Sequence, residues 1–186
     1  MKIKNKKAIS TLVATVLLIL ITVAAVGIIW GAIMPVITRT MEIGQACLNA
    51  RVTINTESGY TCYNKNTKEV NIMISRGSEE FTLAGINLVL SGEGTSHSWN
   101  FQVGSSYADV KLYRGTYDVA FTEDEFPAPN EEHTYTINAS DNDGLPITGL
   151  SPPETAKVAP IVKVGATLRT CSVSSSVTVP AECSAV

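Results

Sequence analysis

Between Ala8 and Thr38 the chain carries no charged residue, and no other feature restricts its fold so strongly. The stretch from Ile9 to Met34, ISTLVATVLLILITVAAVGIIWGAIM, is apolar or small throughout apart from Ser10 and three threonines. As a helix rising ~1.5 Å per residue it would span about 39 Å, whereas a bilayer core needs only ~20 apolar residues. It has no polar face, so such a helix is buried on every side, in lipid or in protein. Pro35 is expected to end or kink it, because proline brings no backbone donor and clashes with the preceding turn.

Charge sets the orientation. Lys2, Lys4, Lys6 and Lys7 crowd the first seven residues, and only Arg39 follows the apolar run closely. Cytoplasmic flanks carry the excess of lysine and arginine, so the N-terminus is expected inside and the rest outside. Trp30 lies about 32 Å along the helix from Ile9, near the depth of an outer interfacial aromatic. A cleaved secretory signal fits poorly, because its apolar region runs ~7–15 residues. Gly27-Ile28-Ile29-Trp30-Gly31 is a G-x-x-x-G pattern, which permits close approach of helices.

From Met41 onward the chain holds 9 Lys+Arg and 17 Asp+Glu, a net charge of −8. That balance argues against a nucleic-acid-binding surface. All four cysteines, Cys47, Cys62, Cys171 and Cys183, follow the apolar run, and an even count on an exported domain points to two disulfides. No C-x-x-C spacing suggests zinc. Three connectivities are open. The favoured one is Cys47–Cys62 with Cys171–Cys183, each pair bracketing an expected hairpin, and the long-range alternative is Cys47–Cys183 with Cys62–Cys171.

Met41 to Ala50 is expected to continue the helix to its end. Short β-type runs separated by turn residues follow: Arg51–Ile54, Tyr60–Tyr63, Val70–Ile74, Phe81–Leu90, Trp99–Val103, Tyr117–Phe121, Thr134–Ile137, Ala159–Leu168 and Val177–Val179. The expected fold class is α+β: a long N-terminal hydrophobic helix, then an antiparallel β-sandwich head. The expected divisions are residues 1–8 as leader, 9–48 as helix and 49–186 as extracellular head.

Little catalytic chemistry is legible. His97 and His133 stand alone in polar stretches and read as solvated loop residues. Neither H-E-x-x-H nor G-x-S-x-G occurs. Gly92-Glu93-Gly94 reads as a turn, and Glu123-Asp124-Glu125 with Glu131-Glu132 as a solvated acidic loop. Asp141-Asn142-Asp143-Gly144 resembles the start of a calcium loop, but Pro152 occupies the position of the twelfth ligand, so an Asx turn is the better reading. No enzyme, metal or cofactor is therefore expected. Asn138-Ala139-Ser140 is the one acceptor triplet for N-glycosylation.

The junction Lys6-Lys7-Ala8, followed at once by Ile9-Ser10-Thr11-Leu12-Val13 and the aliphatic run, resembles the class III signal peptides of archaeal type IV pilins. Thr11 departs from the proline common there, and Val13 stands where bacterial pilins carry glutamate. The resemblance covers about residues 1–40. It implies that Lys6 and Lys7 end a leader and that a membrane aspartyl protease, the prepilin peptidase, cuts between Ala8 and Ile9. It further implies that the helix waits in the membrane until the pilus assembly machinery polymerises the chain with copies of itself. Helices would then bundle in a filament core, packed through Gly27 and Gly31, with heads exposed at the cell surface for adhesion. Behind this reading stand a monomeric membrane-anchored binding module, an archaellin-type motility subunit and, last, an anchored extracellular enzyme.

Overall fold

The computed structural model describes residues 6–92, 94–139, 152–180 and 182–183, with residues 6–11 described by their backbone alone. The chain divides into two compact units, residues 1–44 and 45–186.

The first unit is helical. Helix α1 covers Lys6–Ile28, a five-residue π turn covers Ile29–Ile33, and α2 runs over Met34–Asn49 into the second unit. Pro35 therefore does not end the helix. The π turn lies directly before it, and the Met34 N–H donates to the Ile29 carbonyl. Widening the turn accommodates a residue that has no N–H and whose ring would strike the carbonyl four residues back. The described part, Leu12–Asn49, is long and apolar enough to cross a membrane.

The second unit holds two five-stranded antiparallel sheets, so the chain is α+β. In the first sheet, β3 (Glu69–Arg76) pairs on one side with β7 (Glu132–Asn138), which pairs in turn with β6 (Val110–Leu112). The other side of β3 is shared by β1 (Val52–Ile54) and β2 (Cys62–Asn64). In the second sheet, β8 (Thr155–Val164) pairs with β4 (Leu83–Gly92), which pairs with β5 (Thr95–Gln102). The other side of β8 is shared by β9 (Thr167–Thr170) and β10 (Ser175–Thr178).

Alternation of buried and less buried residues marks β3 and most of β4. In β3 the buried residues are Val70, Ile72 and Ile74, and in β4 they include Ile86, Leu88 and Leu90. A period of two puts all of them on one face. Both sheets contribute to a single apolar cluster, to which Phe101 brings the aromatic centre. Its ring stacks on Tyr135 at 5.5 Å and on Phe121 at 5.6 Å. Each fully buried aliphatic side chain is worth roughly 1.5–3 kcal/mol relative to exposure.

The strand pattern departs from expectation in two places. Tyr117–Phe121 is not a strand. Asp118 has φ 58°, Val119 is half exposed, and the Asp118 and Phe121 N–H groups donate to the Tyr107 and Ser105 carbonyls as loop contacts. The short Val110–Leu112 segment takes the place in the sheet instead. The run Ala159–Leu168 divides at Gly165, whose φ of 60° closes the β8–β9 turn, a conformation that costs glycine little.

The largest correction concerns the cysteines. The bridges are Cys47–Cys171 and Cys62–Cys183, the one connectivity that the sequence reading favours in neither form. The reason is the closure of the head. Ser174 donates through Oγ to the Val52 carbonyl, the Ile54 N–H donates to Ser175 Oγ, and Tyr63 of β2 donates its N–H to the Pro180 carbonyl and accepts from the Cys183 N–H. Residues 174–180 thus reach the first strands, and each early cysteine meets a late one.

Candidate functional site

The least conventional surface of this chain is its helix. Every side chain from Leu12 to Glu42 is exposed. Leu18, Ile21, Val23, Ile28, Trp30 and Val36 each leave roughly two thirds of their surface uncovered. Its uncharged part, Leu12 to Thr38, is an apolar surface of the kind that lipid or protein covers.

The threonine hydroxyls along the helix are bonded locally. The hydroxyls of Thr15 and Thr22 donate to the carbonyls of Leu12 and Ile19, and those of Thr38 and Thr40 to Met34 and Val36. A hydroxyl bonded within its own helix needs no water and no partner, so the four threonines do not oppose burial in an apolar medium.

Gly27 closes the last turn of α1 and Gly31 lies in the π turn. A Cβ built on either meets nothing within 4 Å. Nothing in the chain itself therefore requires a glycine at these positions. The helical backbone already includes Lys6, Lys7, Ala8 and Ile9, so the expected leader junction lies within regular helix.

The last turn of α2 belongs to the second unit, where Cys47 is bridged to Cys171 with the Cα atoms 5.4 Å apart. Cys62, at the start of β2, is bridged to Cys183 with a Cα separation of 4.9 Å. Among the described residues no cysteine is free.

Several of the head's polar side chains are engaged in structural contacts. A cavity of about 660 Å³ opens beside Arg76, Phe81, Asp124 and Glu131. The Arg76 guanidinium lies 4.2 Å from the Phe81 ring centroid and donates to the Pro127 and Phe81 carbonyls. It thereby pins the Pro127 loop. Buried Asp109 accepts from Trp99 Nε1 at 2.7 Å. Glu69 accepts from the Tyr117 hydroxyl at 2.6 Å and from Lys111 Nζ at 3.0 Å. Burial alone would raise the Glu69 pKa, but these hydrogen bonds, with the lysine's charge, outweigh it and hold the group below the usual carboxylate range.

The two histidines are strand residues rather than solvated loops. His97 lies in β5 against the Trp99 ring, with centroids 4.4 Å apart, and His133 in β7 shares a 2.9 Å hydrogen bond with the Glu125 carbonyl. The Glu123–Glu125 segment forms a 3₁₀ turn closed by a capping box between Thr122 and Glu125. Among the described residues no three His, Cys, Asp or Glu side chains converge as a metal site. The Asp141–Gly144 segment lies outside the described residues. Asn138 ends β7, half-buried, with its N–H on the Asp109 carbonyl.

Sequence reasoning missed the tie between the chain's early and late cysteines, because no local pattern encodes contact across so long a separation. It also missed the π turn, for which Pro35 was the available signal. The chain matches no protein-family model and no curated protein sequence.

Proposed function

We propose that this chain is the structural subunit of a surface filament of the archaeal type IV pilus kind, exposed at the cell surface and serving adhesion. The leader through Ala8 is removed, the helix from Ile9 waits in the cytoplasmic membrane with its N-terminus inside, and copies then bundle their helices into a filament core. The head, read as a β-sandwich closed by two disulfides, faces outward.

The observation that carries this reading is the helix surface. Its uncharged exposed stretch, Leu12 to Thr38, would extend about 40 Å, against a bilayer core of ~30 Å. A membrane alone covers all of it only if the helix tilts strongly, whereas a bundle of identical helices covers it without tilt. Transfer from lipid to such a bundle exchanges one apolar environment for another. Gly27 and Gly31, open on the single chain, would then be where neighbouring backbones approach. The two disulfides favour an oxidising compartment.

The test is electron microscopy of filaments sheared from cells, with N-terminal sequencing of their subunit. The expected result is filaments built of a chain that starts at Ile9. A mature chain starting at Met1, or beyond Ala25, removes the pilin reading. A chain starting at Ile9 that is found only as a membrane-bound monomer supports the anchored-module alternative.

A further inference from the structure

The bridges join residues 124 and 121 positions apart. The competing local pairs, Cys47 with Cys62 and Cys171 with Cys183, are separated by only 15 and 12 positions. The probability that a flexible chain closes a loop falls as about the 3/2 power of its length, so in the unfolded chain the local pairs meet roughly 20- to 30-fold more often than the native ones. Under oxidation before folding, the first bridges are therefore the wrong ones. Only the folded head selects the native pairs, by bringing Ser174 and Ser175 onto β1 and Pro180 and Cys183 onto β2.

We infer that this chain matures through a Cys47–Cys62 intermediate and is a substrate of a partner of the dithiol–disulfide isomerase class, which speeds its conversion to the native bridges. Forming each bridge takes two protons and two electrons from a pair of thiols, and the electrons reduce a disulfide-bearing oxidant to two thiols. Correction is an exchange without net oxidation. A thiolate of the isomerase attacks one sulfur of Cys47–Cys62, forms a mixed disulfide and releases the other as thiolate. With both local bridges formed, the released Cys62 thiolate attacks Cys183 of the Cys171–Cys183 bridge and frees the Cys171 thiolate, which attacks Cys47 in the mixed disulfide and expels the isomerase in its original state. If the helix stays in the membrane with its N-terminus inside, as proposed above, and the head crosses from its helix-proximal end, the bias is stronger, because Cys47 and Cys62 reach the oxidising side more than 100 residues ahead of Cys171. The loop-length argument itself does not depend on export.

The test uses the full chain in detergent micelles, reduced and denatured, then returned to folding conditions in two arms. One arm receives diamide, which oxidises thiols but supports little exchange. The other receives reduced and oxidised glutathione. Samples are quenched with an alkylating agent and mapped by peptide mass spectrometry. The expected result is that Cys47–Cys62 dominates at early times in both arms and persists under diamide. With glutathione it gives way to Cys47–Cys171 and Cys62–Cys183, and added disulfide isomerase accelerates that conversion at least 10-fold. A second measurement uses the C62S/C183S variant, which has no wrong partner and is expected to form Cys47–Cys171 equally well in both arms. Native bridges forming at the same rate and yield in both arms of the wild-type experiment would overturn the proposal. So would an early population lacking Cys47–Cys62. Neither outcome depends on whether filaments form.

Discussion

Glycines at positions 85 and 31 show how the same residue type answers to different constraints. At Gly85 a Cβ would lie 2.1 Å from the Phe101 carbonyl oxygen, beside the register shift between Leu83 and Gly85. Backbone is the obstacle, so no rotamer change relieves it. Gly85→Ala is expected to destabilise the head by about 1–3 kcal/mol, read as a lower urea midpoint for the full chain in detergent. At Gly31 nothing obstructs a side chain within 4 Å, so Gly31→Leu is expected to leave that midpoint unchanged. If neighbouring helices approach at this glycine, the same substitution removes surface filaments while the subunit still inserts in the membrane. A filament yield equal to wild type would show that the glycine face is not a contact. Glu69 gives a third test at this scale. Its carboxyl is held below its ordinary value of 4.5, so its contribution is present above that value and is lost as pH falls through the lower folded value. Wild-type stability is therefore expected to drop more steeply than that of Glu69→Gln below about pH 4.5, and parallel curves would refute the assignment.

At the scale of elements, the sequence conveyed the local patterns and lost the long-range ones. The uncharged run announces its helix because burial of a charge-free face needs no partner to be read. Alternation announces β3, β4 and β7, where Val70, Ile72 and Ile74, or Leu88 and Leu90, fall on one face. Val110–Leu112 is only three residues long, too short to show a period, and it is a strand because Ile137 and Tyr135 on β7 stand opposite. Tyr117–Phe121 has the composition of a strand, yet the left-handed Asp118 breaks the extension. His97 and His133 looked solvated because their sequence neighbours are polar, although their ring contacts come from Trp99 and from the Glu125 carbonyl. Pro35 was legible as a disturbance, but its outcome was not. The helix absorbs it in one wide turn. Restoring a donor with Pro35→Ala is expected to remove the π turn and slow amide hydrogen exchange in residues 30–37 by about 10-fold or more, since the interrupted hydrogen-bond ladder closes. Unchanged exchange would mean that Pro35 is not the cause of the wide turn.

For the whole molecule, the two disulfides act as one device. Each closes a loop of more than 120 residues, and loop-closure entropy assigns the first such bridge about 5 kcal/mol. Once Cys47–Cys171 exists, the shortest path between Cys62 and Cys183 runs through that bridge and spans only about 27 residues, for which the same relation gives roughly 3.5 kcal/mol. Removing either bridge alone therefore leaves the other doing the long-range closure, at an expected cost of about 3.5 kcal/mol, while removing both costs about 8.5. The pair should thus be non-additive, with the double removal about 1.5 kcal/mol worse than the sum of the singles. Urea unfolding of C47S/C171S, C62S/C183S and the fourfold variant, all as full chains in detergent, completes the cycle. The two single-bridge variants are expected to retain a cooperative transition and the fourfold variant to approach the limit of a folded head. If the losses simply add, the bridges act on separate parts of the head. The contacts of Ser174 and Ser175 with β1 and of Pro180 with Tyr63 argue otherwise, because both bridges hold the same closing segment against the same early strands.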